Sequence, residues 1–297
     1  MQIDLIGVPM DYGAGRRGVD MGPSAIRYAG IKEAVQKLGH LVNDWGNVEV
    51  PVVESCESCD PNLRFLEAIV PVVQRLADQV ERFVQAGHFP LALGGDHSMA
   101  LGSVSGAARQ RRLGLIWVDA HADFNTAETT PSGNIHGMPL AALAGLGDPR
   151  LTGIGRHSGP AVNPAHIAII GARDLDAGER DNLRKAGVAV FSMDQIDRDG
   201  LYAVARNAIE IVSRGTDGIH LSLDLDGVDP LYAPGVGTPV PGGLTYREAH
   251  LMCEMLAETG RLVGMDLVEV NPILDDRNKT AAMAVELAVS ALGKRVY

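Results

Sequence analysis

Leu115-Ile116-Trp117-Val118-Asp119-Ala120-His121-Ala122-Asp123 is an apolar run that ends in two carboxylates and an imidazole at alternate positions. Consecutive apolar residues with no polar alternation fit a strand covered on both faces, the condition of a parallel sheet packed between helices. The charged residues then mark the carboxyl end of that strand, the edge of a parallel α/β sheet where sites are built. Two other stretches repeat the arrangement. Residues 89–93 run into Gly94-Gly95-Asp96-His97-Ser98, and residues 218–223 run into Asp224-Leu225-Asp226-Gly227-Val228-Asp229.

Outward from these three, the pattern continues along the chain. Further strands are predicted at 3–8, 41–45, 166–170, 188–191 and 262–270, with helices at 24–38, 61–86, 98–111, 137–146, 177–185, 201–213, 245–258 and 279–292. Pro23 and Pro61 stand where helices can begin, and Pro71 predicts a kink or split in the second. Gly87, Gly187 and Gly260 follow helical stretches as stops. Eight strand-helix pairs fit either a closed (β/α)₈ barrel or an open parallel sheet. Neither repeats nor a linker divide residues 1–297, which read as a single domain, and 46–60 reads as a surface excursion.

The composition narrows the function. Lys+Arg is 26 against Asp+Glu 37, a formal charge of −11 with no basic cluster to reverse it locally. Such a chain repels nucleic-acid phosphate and anionic lipid, so neither nucleic acid nor membrane is an expected partner. No apolar run is long enough to span a bilayer. The first residues lack a basic region leading into an apolar one, and a cytoplasmic setting is the expectation. Three cysteines fit a reducing compartment. Cys56 and Cys59, with no second pair nearby, read as neither a zinc knuckle nor a redox motif.

In extended backbone, alternate residues share a face. Asp119, His121 and Asp123 therefore point one way, and so do Asp224 and Asp226. Four carboxylates brought together repel, and each must rise in pKa or be met by cations. Two divalent ions carry the matching charge, and His97 and His121 complete six protein ligands. Mostly oxygen donors with one imidazole per ion suit Mn²⁺ better than structural zinc. Asp96 and Asp229 read as groups that fix their own loops. The Gly-rich loop Ser132-Gly133-Asn134-Ile135-His136-Gly137 lies beyond the second cluster, and His136 is a candidate proton shuttle. Glu269, at the end of the last strand, is placed to hold a cationic substrate. Residues 235–243 have turn chemistry but no phosphate-loop Gly-Lys. His40, His88, His157, His166, His220 and His250 read as surface or packing residues.

With the N-terminal Gly18-Val19-Asp20-Met21-Gly22-Pro23, these motifs resemble those of the ureohydrolases, the arginase/agmatinase family, and look most like its bacillary arginase branch over almost the whole length. The resemblance implies a three-layer α/β/α fold with a central eight-stranded, mainly parallel sheet, and it implies two Mn²⁺ per subunit. His97, Asp119, Asp123 and Asp224 would hold one ion and Asp119, His121, Asp224 and Asp226 the other, with Asp119 and Asp224 bridging. The loop carrying Asn125, Ser132 and Asn134 resembles the version that binds a substrate α-carboxylate. Asp176 and Glu179 would face the α-ammonium, Thr238 would lie near the guanidinium, Glu269 would orient that group, and His136 and Asp123 would move protons. Hydrolysis of L-arginine to L-ornithine and urea, by a homotrimer or homohexamer, is the activity implied. Agmatinase and the other guanidino or formimino ureohydrolases are the near alternative. A phosphoesterase and a non-catalytic metal-binding protein are more distant ones.

Overall fold

In the computed structural model, which describes residues 1–156 and 159–295, eight strands form one open sheet. They are β1 (Gln2–Val8), β2 (Leu41–Asn47), β3 (Phe89–Gly94), β4 (Leu113–Val118), β5 (Ile167–Ala172), β6 (Ala189–Ser192), β7 (Gly218–Asp224) and β8 (Leu262–Val268). The order is β2-β1-β3-β8-β7-β4-β5-β6, with every pairing parallel among the described residues. The sheet ends at β2 and β6, so the barrel alternative falls away. All eight predicted strands are present, with ends shifted by a few residues. His157 lies outside the described residues.

The unbroken apolar runs have the cause anticipated for them. In β4, Leu115 and Trp117 enter one apolar layer and Ile116 and Val118 the other. The first layer is closed mainly by helices Leu66–Gln85 and Ala100–Ala108, the second by Leu201–Ser213, Tyr246–Glu258 and Lys279–Ala291. Both faces of the sheet are therefore buried, and the architecture is α/β/α.

Three helix expectations need correction. The helix predicted at 24–38 is two, Gly22–Tyr28 and Ile31–Gln36, separated by Gly30 in the left-handed region (φ 87°). The helix predicted from Pro61 begins at Leu66, because Phe65 is left-handed (φ 57°) and the Arg64 N–H donates to the Gly133 carbonyl. Pro71 does not split that helix. Pro71 and Glu67 both lie on the exposed face, so water can serve the Glu67 carbonyl that loses its partner. The helix predicted at 137–146 shortens to Pro139–Leu143.

Order in the sheet decides where a site can form. The chain sets β2 outside β1 and β3 inside it, lays β4 to β6 outward to the far edge, then returns to place β7 and β8 in the gap between β4 and β3. Such a reversal opens a crevice at the carboxyl edge. The turn after β3 is pinned there by Gly95. Its N–H donates to the Val8 carbonyl (2.8 Å), and its carbonyl accepts from the Glu269 N–H (2.8 Å). A Cβ on Gly95 would lie inside the van der Waals shell of the Met10 carbonyl oxygen. Gly95→Ala is therefore expected to destabilise the protein by about 2 kcal/mol or more, the upper range for overpacking. Gly153→Ala, where a Cβ meets open space, is expected to be near neutral, and urea denaturation of both variants checks the contrast.

Candidate metal centre

The four central strands, β3, β8, β7 and β4, deliver Asp96 and His97, Glu269, Asp224 and Asp119 to one edge. Asp119, Asp123, Asp224, Asp226 and His97 are all buried, and His121 is partly so. His97 Nδ1 lies 3.2 Å from Asp119 Oδ2, 3.1 Å from Asp123 Oδ2 and 3.3 Å from Asp224 Oδ2. His121 Nδ1 lies 3.3 Å from Asp119 Oδ1 and 3.1 Å from Asp226 Oδ2. The two oxygens of Asp119 thus face different imidazoles, as a bridging carboxylate's would.

These spacings suit a shared ion. Ligand atoms about 2.1 Å from one octahedral cation and at right angles to each other stand about 3.0 Å apart. His97 Nδ1 is buried with no hydrogen-bond partner of acceptable geometry, an orphan that a cation would satisfy. Two ligand groups emerge, His97 with Asp119 and Asp123, and Asp119 with His121 and Asp226.

Surrounding groups fix the ligands. His97 Nε2 donates to Ser222 Oγ (2.9 Å), which donates to the buried Asp266 carboxylate (3.2 Å). With Nε2 protonated, Nδ1 carries the lone pair. The indole of Trp117 stacks on the His97 ring, with centroids 3.8 Å apart, and its Nε1–H donates to Asp119 Oδ2 (3.0 Å). Main-chain N–H groups complete the support, from His121 to Asp119 (2.7 Å), Asp226 to Asp224 (2.7 Å) and Ala120 to Asp226 (3.0 Å).

The crowding appears in the titration of the cluster. Burial, with Asp119 beside it, pushes Asp123 up to about 7. Burial and the Asp226 and Asp119 charges hold Asp224 well above the carboxylate range, and burial with Asp119 raises Asp226. Asp119 moves the other way: burial opposes its charge, but the His121 and His97 imidazoles beside it outweigh that and hold the group low. Both imidazoles are raised by their carboxylates in spite of burial.

A cavity of about 280 Å³ rises from this floor. His121, Asp123, Asp224, Asp226 and Thr238 line its base, and Asn125, Ser132, Asn134, Asp174 and Asp176 its upper wall. Asn125 Nδ2 donates to Asp176 (2.9 Å), and its carbonyl accepts from Thr129 Oγ (3.0 Å), which sets the amide's orientation. Glu179 also borders the cavity, but its two oxygens accept the Phe124 and Asp176 N–H groups (2.8 and 3.1 Å). Thr238 Oγ donates to Asp226 Oδ2 (2.9 Å). Glu269 Oε1 accepts from the His97 N–H (2.9 Å) and pairs with His136 Nδ1 (3.0 Å), while Oε2 is buried without a partner. Burial works against a charge on His136, but Glu269 and Asp123 lift it to about 9. Asp96 and Asp229 are spent on their own loops. Asp96 accepts from Gly13, and from the amide and hydroxyl of Ser98; Asp229 accepts from Leu231, Gly242 and Gly243.

Sequence reasoning missed Trp117 and Ser222, although each stands two residues before a ligand and so on its face. It also missed that Asp123 and Glu269 adopt left-handed backbone (φ 51° and 63°), a conformation costly for residues other than glycine and frequent at functional sites. Alternation alone therefore does not account for the aim of Asp123.

Removing divalent ions with a chelator is expected to lower Tm, and to lower it more at pH 8 than at pH 6. Raised folded-state pKa values mean that the ion-free fold keeps protons which the unfolded chain releases near pH 4, so its stability falls as pH rises from about 4 through about 7. Ions hold these carboxylates deprotonated and remove that slope. Calorimetry of loaded and stripped protein at both pH values checks it, and equal drops would contradict it.

Comparison with known proteins gives the same picture over the whole chain. The Arginase family profile matches residues 1–293. The arginase of Bacillus caldovelox is 53% identical over 296 residues, covering 99% of both chains. The crystal structure of arginase from Bacillus cereus superposes with a TM-score of 0.95 at 51% identity, covering 100% of both chains. Arginase from Entamoeba histolytica, crystallised with L-ornithine, superposes with a TM-score of 0.90 at 32% identity over 99% of both. With a dinuclear His/Asp cluster at the reversal point of the same sheet, this chain belongs to the arginase family.

Proposed function

We propose that this protein hydrolyses L-arginine to L-ornithine and urea with two Mn²⁺ per subunit. The observation that carries the reading is a cavity with a carboxylate-imidazole floor and, at its upper wall, amide and hydroxyl donors beside the exposed carboxylate of Asp176. An amino acid with a long cationic side chain fits that order. Asn125, Ser132 and Asn134 offer donors to its α-carboxylate, and Asp176 offers a partner for its α-ammonium. Glu179 supports both ends of that wall through the Phe124 and Asp176 amides. The Entamoeba relative holds L-ornithine, the product expected here.

At the floor, the unpartnered Glu269 Oε2 is the acceptor for the guanidinium, with Thr238 beside it. A pair of divalent ions held there would supply Lewis acidity, lowering the pKa of a water so that it can attack a planar, resonance-stabilised carbon near neutral pH. His97, Asp119, Asp123 and Asp224 would hold one ion, and Asp119, His121, Asp224 and Asp226 the other. Asp123 is placed to accept a hydrogen bond from the attacking water and orient it. The departing δ-nitrogen needs a proton, and His136, cationic below about pH 9 through its pairing with Glu269, can give it. Manganese as the metal, a homotrimer or homohexamer as the assembly and a cytoplasmic setting are carried over from the family resemblance.

Manganese-loaded protein is expected to release urea from L-arginine and essentially none from agmatine, which has no carboxylate for Asn125 and Ser132. Equal turnover of the two would overturn the assignment of that wall. Asn125→Ala is expected to raise KM for L-arginine about tenfold to a hundredfold with kcat little changed, the worth of one hydrogen bond to a charged group. His136→Ala is expected to lose at least about a hundredfold in kcat while metal analysis still finds two ions per chain; unaltered turnover would remove His136 from the proton path.

A further inference from the structure

Arg173 follows β5, outside the four strands that deliver the ligands, and no carboxylate lies within ion-pair distance of it among the described residues. Its donors go instead to main-chain carbonyls. Nη2 donates to Asp226 O (2.6 Å) and Val240 O (2.6 Å), Nε to Val240 O (3.1 Å), and Nη1 to Gly171 O (3.1 Å) and Gly227 O (3.3 Å). The Arg173 N–H donates to Ala120 O (2.8 Å), as does the Asp174 N–H (3.0 Å). One residue therefore touches the Asp119–Asp123 segment with its main chain, and the Asp224–Gly227 turn and the Thr238 loop with its side chain.

We propose that Arg173 is a positioning residue for the metal position formed by Asp119, His121 and Asp226: its planar fork holds the Asp226 turn and the Val240 carbonyl, while its main chain is anchored on Ala120 of the His121 segment. The connections form a closed circuit. Arg173 holds the Asp226 and Val240 carbonyls, and Thr238, two residues before Val240, donates to the Asp226 carboxylate. Asp226 is thus held at its main chain by Arg173 and at its side chain by Thr238 and the Ala120 N–H. The Ala120 peptide is in turn held by residue 173. Among the described residues the His97 and Asp123 side chains make no hydrogen bond to this circuit, while the Asp224 carboxylate meets it by accepting the Asp226 N–H (2.7 Å). The glycine at 243 belongs to it, since a Cβ there would come within 2.6 Å of Nη2 and 2.7 Å of the Asp229 nitrogen. A lysine would keep the charge, but a single ammonium cannot span the separate carbonyls as a guanidinium does.

The inference rests on the two-ion reading above and predicts a selective loss. Manganese-loaded wild type, Arg173→Gln and Arg173→Lys would be equilibrated against graded nitrilotriacetate buffers, with manganese retained per chain measured together with urea release. Both variants are expected to release one of their two ions at a free Mn²⁺ concentration at least about tenfold higher than wild type, the scale of effects from groups that orient ligands. The other ion is expected to stay, and the activity to return as Mn²⁺ is raised. Loss of both ions together, or of neither, would overturn the proposal, as would an Arg173→Lys protein that holds both like wild type, since charge alone would then suffice. If Arg173→Gln does not fold, Gly243→Ala, which crowds the fork and leaves the arginine in place, is expected to show the same selective release. A wild type that never holds two ions would instead sink the two-ion reading itself.

Discussion

Four carboxylates, Asp119, Asp123, Asp224 and Asp226, are buried around two imidazoles, and the mutual repulsion of these acids is the constraint to which the rest of the molecule answers. In low dielectric such a group cannot hold its charges unless protons or cations enter it. The fold does not relieve the repulsion by spreading the acids apart. It fixes them on the stiffest part of the molecule, the central strands of a sheet buried on both faces, and spends main-chain N–H groups, an indole and a buried serine on keeping each carboxylate or imidazole aimed inward. The cost is recovered when two divalent ions bind, so affinity for the metal and strain in the ion-free fold have one origin.

The legible part of this design was what repeats at short range. Apolar runs disclosed the inner strands because both of their faces are covered, while the exposed edge strand β2 has no such cover, and the alternation of Asp119, His121 and Asp123 disclosed a shared face because β4 ends just before it. Helix starts failed where the backbone turns left-handed at a residue that carries no signal for it, as at Phe65. Pro71 misled because proline on a solvent-facing turn costs less than proline against the core. Order in the sheet lay beyond local pattern altogether: strand spacing allowed a barrel or an open sheet, and only the resemblance favoured the second. The supports of the site were hidden for a related reason. Ser222 is 125 residues from His97, and the Asp226 carbonyl is 53 from Arg173, so no window along the chain contains both partners.

Floor and wall of the cavity are built by different means. The floor comes from strand ends and admits little adjustment. The upper wall comes from loops, with Asn125 fixed by Asp176 and Thr129, and Glu179 holding the Phe124 and Asp176 amides. Glu179 is thereby a support of the wall more than a face of it, and the more exposed Asp176 is the acceptor proposed for a substrate ammonium. Loops on a rigid scaffold are where substrate choice can change without disturbing the metal ligands, and a family that shares one chemistry across several guanidino substrates is consistent with that division.

Glu269 joins the two parts. Its left-handed backbone aims one oxygen at His136 and the His97 N–H and leaves the other buried and free. A guanidinium on the free oxygen and an imidazolium on the other would share one carboxylate, which a buried site tolerates only while the charges balance. In the proposed reaction, attack would convert the planar cation towards a tetrahedral centre and end the delocalisation that spread its charge. The nitrogen that must leave would then become basic, close to the imidazolium tethered to the same carboxylate. On the proposed reading, binding at Oε2 and proton donation from the group on Oε1 would be coupled through a single side chain, whose position is set by the Gly95 carbonyl that accepts its N–H.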